Sequence, residues 1–195
     1  MLRRRSSLRN MVAGGLPALR SPRALAVGTG VRIVASPVVI ALLLDHDWTT
    51  GASLFLLAAA TDFLDGRLAR HWQVATKLGG FLDTTADKLL VTAALIGLLA
   101  VHRASVWVAF VIIARELTIL GLRAAVAAGG AHMETSASGR WKAALQFVAI
   151  ATAILRPHVL IAGAHLDQWL LALAAVVTVY SGVAYLRAAL STLRS

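Results

Sequence analysis

The chain has 195 residues, of which 58% are hydrophobic and 14% are charged, and its formal net charge is +10. This composition is typical of a polytopic membrane protein rather than of a soluble domain with a large core. The absence of cysteine excludes disulfides, thiolate chemistry and zinc–cysteine sites. Because the basic residues are not clustered with aromatic residues on polar helices, no nucleic-acid partner is expected. Membrane lipids with anionic headgroups and phosphorylated substrates are favoured instead.

The first 23 residues are strongly basic, with six arginines and no acidic residue. Two interpretations fit this composition. One is a disordered cytosolic tail that rests on anionic lipid, and the other is an Arg- and Ser-rich organellar transit peptide. We favour the tail, and we expect residues 24–190 to form one domain.

Six segments are apolar over about the 20 residues that a bilayer core requires, and we expect each to be a transmembrane helix. They are residues 24–44, 50–70, 80–101, 105–127, 142–162 and 166–188. On one side of the membrane the connections hold only Arg103 and Arg156 as basic residues, whereas the tail and most other basic residues fall on the opposite side. The positive-inside rule therefore predicts a multi-pass protein of the cell (inner) membrane, with both termini in the cytoplasm.

Four of the nine acidic residues lie at the end of the second predicted span and the start of the third. Asp62 and Asp65 are three positions apart and share a helix face. Asp83 and Asp87 are four positions apart and share a face of the next helix. A short turn near residues 71–77 would let the two pairs face each other. Because intramembrane charge is costly unless it is paired or bound to metal, we expect a site for Mg²⁺ or Mn²⁺, with two ions.

Small residues and one arginine accompany these carboxylates. Gly66, Ala69 and Gly79 add no bulk beside the acids, which leaves room for a substrate against the backbone. Arg70 places a guanidinium at the mouth of the site, where a phosphate group would be recognised. The predicted activity is therefore that of a metal-dependent enzyme that acts on a phosphorylated lipid at the cytoplasmic side of the membrane.

Together these residues spell D-x2-D-G-x2-A-R-x8-G-x3-D-x3-D over residues 62–87. This pattern resembles the signature of the CDP-alcohol phosphatidyltransferases, and all eight of its positions are filled. The resemblance implies an all-α membrane protein, a homodimer, with six transmembrane helices around a polar cavity that faces the cytosol. It implies CDP-diacylglycerol as the donor and CMP as the leaving product. It assigns three metal ligands (Asp62, Asp65, Asp83), a ligand of a second ion that is also the candidate base (Asp87), and a CDP-diacylglycerol site (Gly66, Ala69, Arg70, Gly79).

Residues elsewhere are similar to those of bacterial phosphatidylglycerophosphate synthases, the members of that family that use sn-glycerol 3-phosphate. The likeness comprises an arginine five positions before a proline in the first span, A-R-E followed by L-R in the fourth, and G-R-W-K with a glutamine in the fifth. It departs from the family at Ala26, where asparagine is usual, and at Thr84, where proline is usual. The implied residues for the acceptor phosphate are Arg32, Arg115, Arg123, Arg140 and Lys142.

Other interpretations stay open at this point. Arg115 and Glu116 could simply neutralise each other between helices. The aspartate motif also occurs in cardiolipin synthases of this superfamily, which use phosphatidylglycerol, and in inositol-phosphate transferases. An ion-coupled transport protein is a further alternative, but it predicts repeat symmetry and helix interruptions that the sequence does not clearly show. Glu134 and Asp167 are expected in loops, without a role in the site.

The arginine asymmetry makes a prediction about topology. A reporter fused after Ser195 should read as cytoplasmic, and a reporter inserted at Asp47 should read as external, because one span separates Asp47 from the basic tail. Paired cytoplasmic and periplasmic reporters at both positions provide the measurement. The same side for both positions would show that the number of spans is wrong.

Overall fold

The computed structural model describes residues 22–72, 77–128 and 137–194. Residues 1–21, 73–76, 129–136 and 195 lie outside the described residues, and with them the predicted tail, most of the predicted turn between the second and third spans, and Glu134. The described ranges contain six helices and one short hairpin. They are α1 (Pro22–Leu44), α2 (Trp48–Trp72), α3 (Lys77–Ala100), α4 (Val106–Ala128), α5 (Ala137–Leu155), β1 (Leu160–Ile161), β2 (Ala164–His165) and α6 (Leu166–Arg194).

The helix order agrees with the predicted spans, and most boundaries agree to within a few residues. The predicted fifth span, residues 142–162, is wrong at both ends. Its helix already begins at Ala137, and it ends at Leu155 because Pro157 lacks an N–H and disfavours helical backbone at Arg156, which has φ 44°. The apolar residues that follow form the antiparallel β1–β2 hairpin. The loop placement of Asp167 is also wrong, because Asp167 lies in the first turn of α6 and is fully buried.

The ends of α1 and α3 explain how the chain turns in so few residues. His46 and His102 have φ values of 60° and 55°, the left-handed conformation that commonly follows a helix. In each case the next residue donates its N–H back across the last turn, from Asp47 to the Leu42 carbonyl at 2.9 Å and from Arg103 to the Leu98 carbonyl at 2.8 Å. These bonds satisfy carbonyls that the ends of α1 and α3 leave without a partner inside the helix.

The core lies where α1 crosses α2 and α3, and it continues between α5, α2 and α6. Leu43 is fully buried at the first of these crossings. A Cβ atom added at Gly97 would lie 2.7 Å from Leu43 Cδ1 and 3.3 Å from Leu43 Cβ, and one added at Gly51 would lie 3.4 Å from Leu43 Cδ2. The two glycines therefore permit the close approach of α2 and α3 to α1, which brings the residues of α1 onto the carboxylates of α3.

The outer surface of the bundle is apolar. Large side chains such as Trp107, Phe110 and Tyr180 are 76%, 61% and 77% exposed, which is typical of a surface that faces lipid or another protein. Within the described ranges, α1 over Val27–Leu44 and α6 over Leu166–Arg187 are long and apolar enough to cross a membrane. The all-α prediction is thus confirmed apart from the hairpin, and the charged residues of α2, α3 and α4 interrupt the apolar runs of those helices.

The Leu43 contact predicts the cost of adding one methyl group. Gly97→Ala should destabilise the fold by roughly 1–3 kcal/mol relative to Gly121→Ala, because its Cβ would overlap an enclosed leucine. Gly121 has no atom within 4 Å of such a Cβ, and both variants gain the same helix propensity. Thermal unfolding in detergent micelles measures the difference. Equal stability of the two variants would show that Leu43 moves aside at no cost.

Candidate active site

The first half of the predicted aspartate motif lies in the C-terminal half of α2. The helix carries Asp62, Asp65, Gly66, Ala69 and Arg70, but the side chains of these residues lie outside the described part of the structure. Their predicted roles therefore stay predictions. The second half of the motif lies near the start of α3, where Gly79, Asp83 and Asp87 follow one another at intervals of four residues.

Asp83 is held by two residues of α1. The Arg32 side chain is fully buried, its Nη2 lies 2.6 Å from Asp83 Oδ1, and its Nη1 donates to the Asp83 carbonyl at 3.3 Å. Thr29 Oγ1 donates to the same carboxylate oxygen at 3.3 Å. Arg32 thus lies on a predicted metal ligand, and this contact makes α1 part of the site. A contact of Arg32 with an acceptor phosphate, which the resemblance implies, stays a prediction.

Asp87 has one engaged oxygen and one unengaged oxygen. Its Oδ2 accepts a hydrogen bond from Lys88 Nζ at 3.2 Å. Its Oδ1 is buried and has no hydrogen-bond partner within the described ranges. A buried carboxylate oxygen without a partner is costly, so this oxygen has the capacity to accept a cation or a hydrogen-bond donor.

The residues present fit a divalent metal ion. Asp83 and Asp87 lie one turn apart on α3, both supply hard oxygen donors, and Asp87 Oδ1 is unengaged. Two carboxylates alone are a partial ligand set. Accordingly, the described residues contain no group of three metal-binding side chains. Asp62 and Asp65 on α2 would have to complete the set.

Glu116 connects this part of α3 to α4. It is 4% exposed, and it is the one acidic residue of α4. Its Oε1 lies 2.7 Å from Arg115 Nη1, and its Oε2 lies 2.5 Å from Lys88 Nζ. The predicted pairing of Arg115 with Glu116 between helices is therefore confirmed, and Lys88 extends it to Asp87.

Arg115 and Arg123 both reach α6. Arg115 Nη2 donates to Ser181 Oγ at 3.0 Å, and Arg123 Nε donates to the Tyr185 hydroxyl at 2.9 Å. Gly182 gives Arg115 its space, because a Cβ there would lie 3.1 Å from Arg115 Cγ. The two arginines lie two turns apart on one face of α4, about 12 Å along the axis.

The two remaining predicted acceptor residues, Arg140 and Lys142, lie in α5. Lys142 is half-buried, and the side chain of Arg140 lies outside the described part of the structure. Convergence of all five cations on one phosphate is therefore still a prediction.

The sequence reasoning missed three contributors, namely Lys88, Ser181 and Tyr185. Lys88 directly follows a motif aspartate, and an intramembrane lysine needs an anionic partner, so its role had a signal in the sequence. Ser181 and Tyr185 carry no such signal in the sequence, because their hydrogen bonds to Arg115 and Arg123 depend on how α6 packs against α4.

A second buried charge cluster lies at the opposite ends of the helices. The Arg103 guanidinium lies 3.4 Å from the centre of the Trp48 ring and donates to the Ile154 carbonyl at 2.5 Å. Burial lowers the pKa of Arg103, the charge of Arg156 lowers it further, and the Asp167 carboxylate opposes both effects. The two Arg103 contacts join the end of α3 to the start of α2 and the end of α5, far along the bundle from Asp83 and Asp87.

Comparison with known proteins places these residues in a family context. The sequence model for the CDP-alcohol phosphatidyltransferases matches residues 25–180. A protein of Sodalis glossinidius is 39% identical over 166 residues, covering 81% of this chain and 90% of its own length. A protein of Escherichia coli K12 is 38% identical with the same coverage, and one of Bacillus subtilis is 37% identical over 65% of this chain and 74% of its own. All three are named CDP-diacylglycerol–glycerol-3-phosphate 3-phosphatidyltransferase.

Proposed function

The chain belongs to the CDP-alcohol phosphatidyltransferase family, as its aspartate motif predicts, and from this premise we propose that it transfers a phosphatidyl group from CDP-diacylglycerol to sn-glycerol 3-phosphate. The products are phosphatidylglycerophosphate and CMP. The observation that carries the choice of acceptor is the identity of 37–39% to relatives named for this reaction. For two of these relatives the match spans 81% of this chain and 90% of their own length.

The donor would bind between α2 and α3. Asp62, Asp65 and Asp83 would hold one ion and Asp87 a second, and bound Mg²⁺ or Mn²⁺ would offset the charge that develops on the phosphoryl oxygens. The pyrophosphate group of CDP-diacylglycerol would bring further negative charge to the space between α2 and α3. Arg70, at the cytoplasmic end of α2, would pair with it, and the small residues Gly66, Ala69 and Gly79 would leave room for the CMP moiety.

Asp87 would activate the acceptor. Its unengaged Oδ1 has no hydrogen-bond partner within the described ranges, so it is able to accept the proton of the acceptor hydroxyl. The hydroxyl oxygen then forms a bond to the phosphorus of the phosphatidyl group, and the bond from that phosphorus to the CMP oxygen breaks. CMP leaves with the bonding electron pair. A carboxylate in this position typically contributes about 10²- to 10⁴-fold to such a rate.

The acceptor phosphate would bind among the basic residues of α4 and α5. Arg115 and Arg123 present guanidinium groups toward α6, and Arg140 and Lys142 follow in α5. Arg115 is the member nearest in the bonding network to Asp87, since Glu116 and Lys88 lie between them. The network runs from Arg115 through Glu116 and Lys88 to Asp87. An acceptor would fit this arrangement with its phosphate near Arg115 and its hydroxyl near Asp87.

The membrane arrangement is part of the same proposal. All six helices would span the cell (inner) membrane, with the aspartate motif facing the cytoplasm, where CDP-diacylglycerol headgroups, glycerol 3-phosphate and CMP are accessible. The positive-inside asymmetry supports this orientation. The homodimer implied by the family resemblance belongs to the proposal as well.

A panel of acceptors tests the proposed function. With CDP-diacylglycerol and Mg²⁺ or Mn²⁺, the purified enzyme should release CMP fastest with sn-glycerol 3-phosphate, because the cations of α4 and α5 fit a small phosphorylated alcohol. Chromatographic measurement of CMP and of the lipid product provides the rates, and a reaction without acceptor is the control. Faster turnover of inositol phosphate or of phosphatidylglycerol would overturn the assignment of the acceptor.

A further inference from the structure

We infer that Glu116 is a positioning residue that holds the base and the acceptor-binding cation of the active site in fixed relation. This inference rests on the proposed function, which supplies the roles of Asp87 and Arg115. Nothing in the aspartate motif requires an acid in α4. The inference comes from the two contacts of the Glu116 carboxylate, one with Arg115 in its own helix and one with Lys88 across the interface of α3 and α4.

The geometry of Glu116 is that of a clamp between two cations. Each carboxylate oxygen serves one partner, Arg115 at 2.7 Å and Lys88 at 2.5 Å. The carboxylate is 5% exposed, so water does not compete for these contacts. A buried carboxylate that accepts one charge-assisted hydrogen bond, from Arg115, and forms one ion pair, with Lys88, restricts both cations more than either contact alone would.

The cations in turn orient the reacting groups. Lys88 Nζ donates to Asp87 Oδ2 at 3.2 Å, which leaves Oδ1 as the oxygen available for chemistry. Arg115 is held by Glu116 at Nη1 and by Ser181 at Nη2. Glu116 thus joins α4 to α3 through Lys88, and its neighbour Arg115 joins α4 to α6 through Ser181.

Charge balance gives an alternative explanation that an experiment can separate. The four groups Asp87, Lys88, Glu116 and Arg115 carry two negative and two positive charges. Glu116 could matter only because it neutralises a buried positive charge, whatever the directions of the side chains. In that case a variant that restores the balance without restoring the clamp should behave as the unmodified enzyme does.

The test compares Glu116→Gln with the double variant Lys88→Met/Glu116→Gln in the full-length enzyme, reconstituted in lipid nanodiscs. Gln keeps the size of Glu but leaves two cations against one carboxylate. The double variant keeps Asp87 and Arg115, so its charge is balanced again, and it is expected to fold even if the single variant does not. KM and kcat are measured for CDP-diacylglycerol and for the acceptor.

If Glu116 is a positioning residue, both variants should lose much more activity toward the acceptor than affinity for CDP-diacylglycerol. The value of kcat/KM for the acceptor should fall roughly 10- to 100-fold, as expected for the loss of charge-assisted contacts, while KM for CDP-diacylglycerol should change less than about threefold. Acceptor kinetics close to those of the unmodified enzyme in the double variant would overturn the inference, because charge balance alone would then suffice. Equal increases in KM for both substrates would overturn it as well.

Asp167→Asn is the matched control. It removes a buried carboxylate from the opposite end of the bundle, and it should leave the ratio of the two KM values unchanged. An equally large change in the ratio of the two KM values in this control would contradict the inference, because it would show that the loss of any buried carboxylate has this effect.

The acceptor used is the one that the unmodified enzyme turns over fastest. An acceptor other than glycerol 3-phosphate would therefore overturn the proposed function without affecting the test of Glu116.

Discussion

The need to pair buried charge is the constraint on which the rest of this structure depends. Apolar helices that pack in or against lipid offer no water to an ionised side chain, so each charge needs an opposite charge, a hydrogen-bond donor or a metal ion. Arg32 meets Asp83, Lys88 meets both Asp87 and Glu116, and the second oxygen of Glu116 meets Arg115. These pairs join α1 to α3 and α3 to α4. The charged groups proposed to take part in phosphoryl transfer are therefore also groups that hold neighbouring helices together.

The apolar packing makes this pairing possible. Arg32 reaches Asp83 because α1 lies close against α3, and Gly97 permits that approach by leaving room for Leu43. Arg115 reaches Ser181 because Gly182 leaves room for its side chain in α6. In both helix pairs a glycine permits close packing and an arginine makes the polar contact, adjacent to the glycine at Gly182 and about 21 Å along α3 from it at Gly97. Substitution of either glycine would thus alter the packing and the electrostatics together.

The sequence predicts the helices and the motif well, because both depend on local spacing. Apolar runs of about 20 residues locate the helices, and intervals of three and four residues place the aspartates on common faces. The end of α5 was mispredicted because Leu160 and Ile161 are as apolar as the helix itself, although Pro157 had already ended it. Contacts between distant residues could not be predicted. Arg32 and Asp83 are 51 positions apart, and their pairing depends on the relative rotation of α1 and α3.

The central claim is that the carboxylates of α2 and α3 bind the same metal ion, and direct titration with Mn²⁺ tests it most closely. Electron paramagnetic resonance of free Mn²⁺ reports binding to the purified protein without any substrate. Asp62→Asn and Asp83→Asn should each weaken binding strongly, and the double variant should bind little worse than either, because both remove ligands of one ion. Asp45→Asn, an exposed acid outside the motif, should bind as the unmodified protein does. The account would be contradicted if the double variant lost Mn²⁺ affinity by the product of the two single losses. It would also be contradicted if both single variants bound Mn²⁺ as tightly as the unmodified protein does.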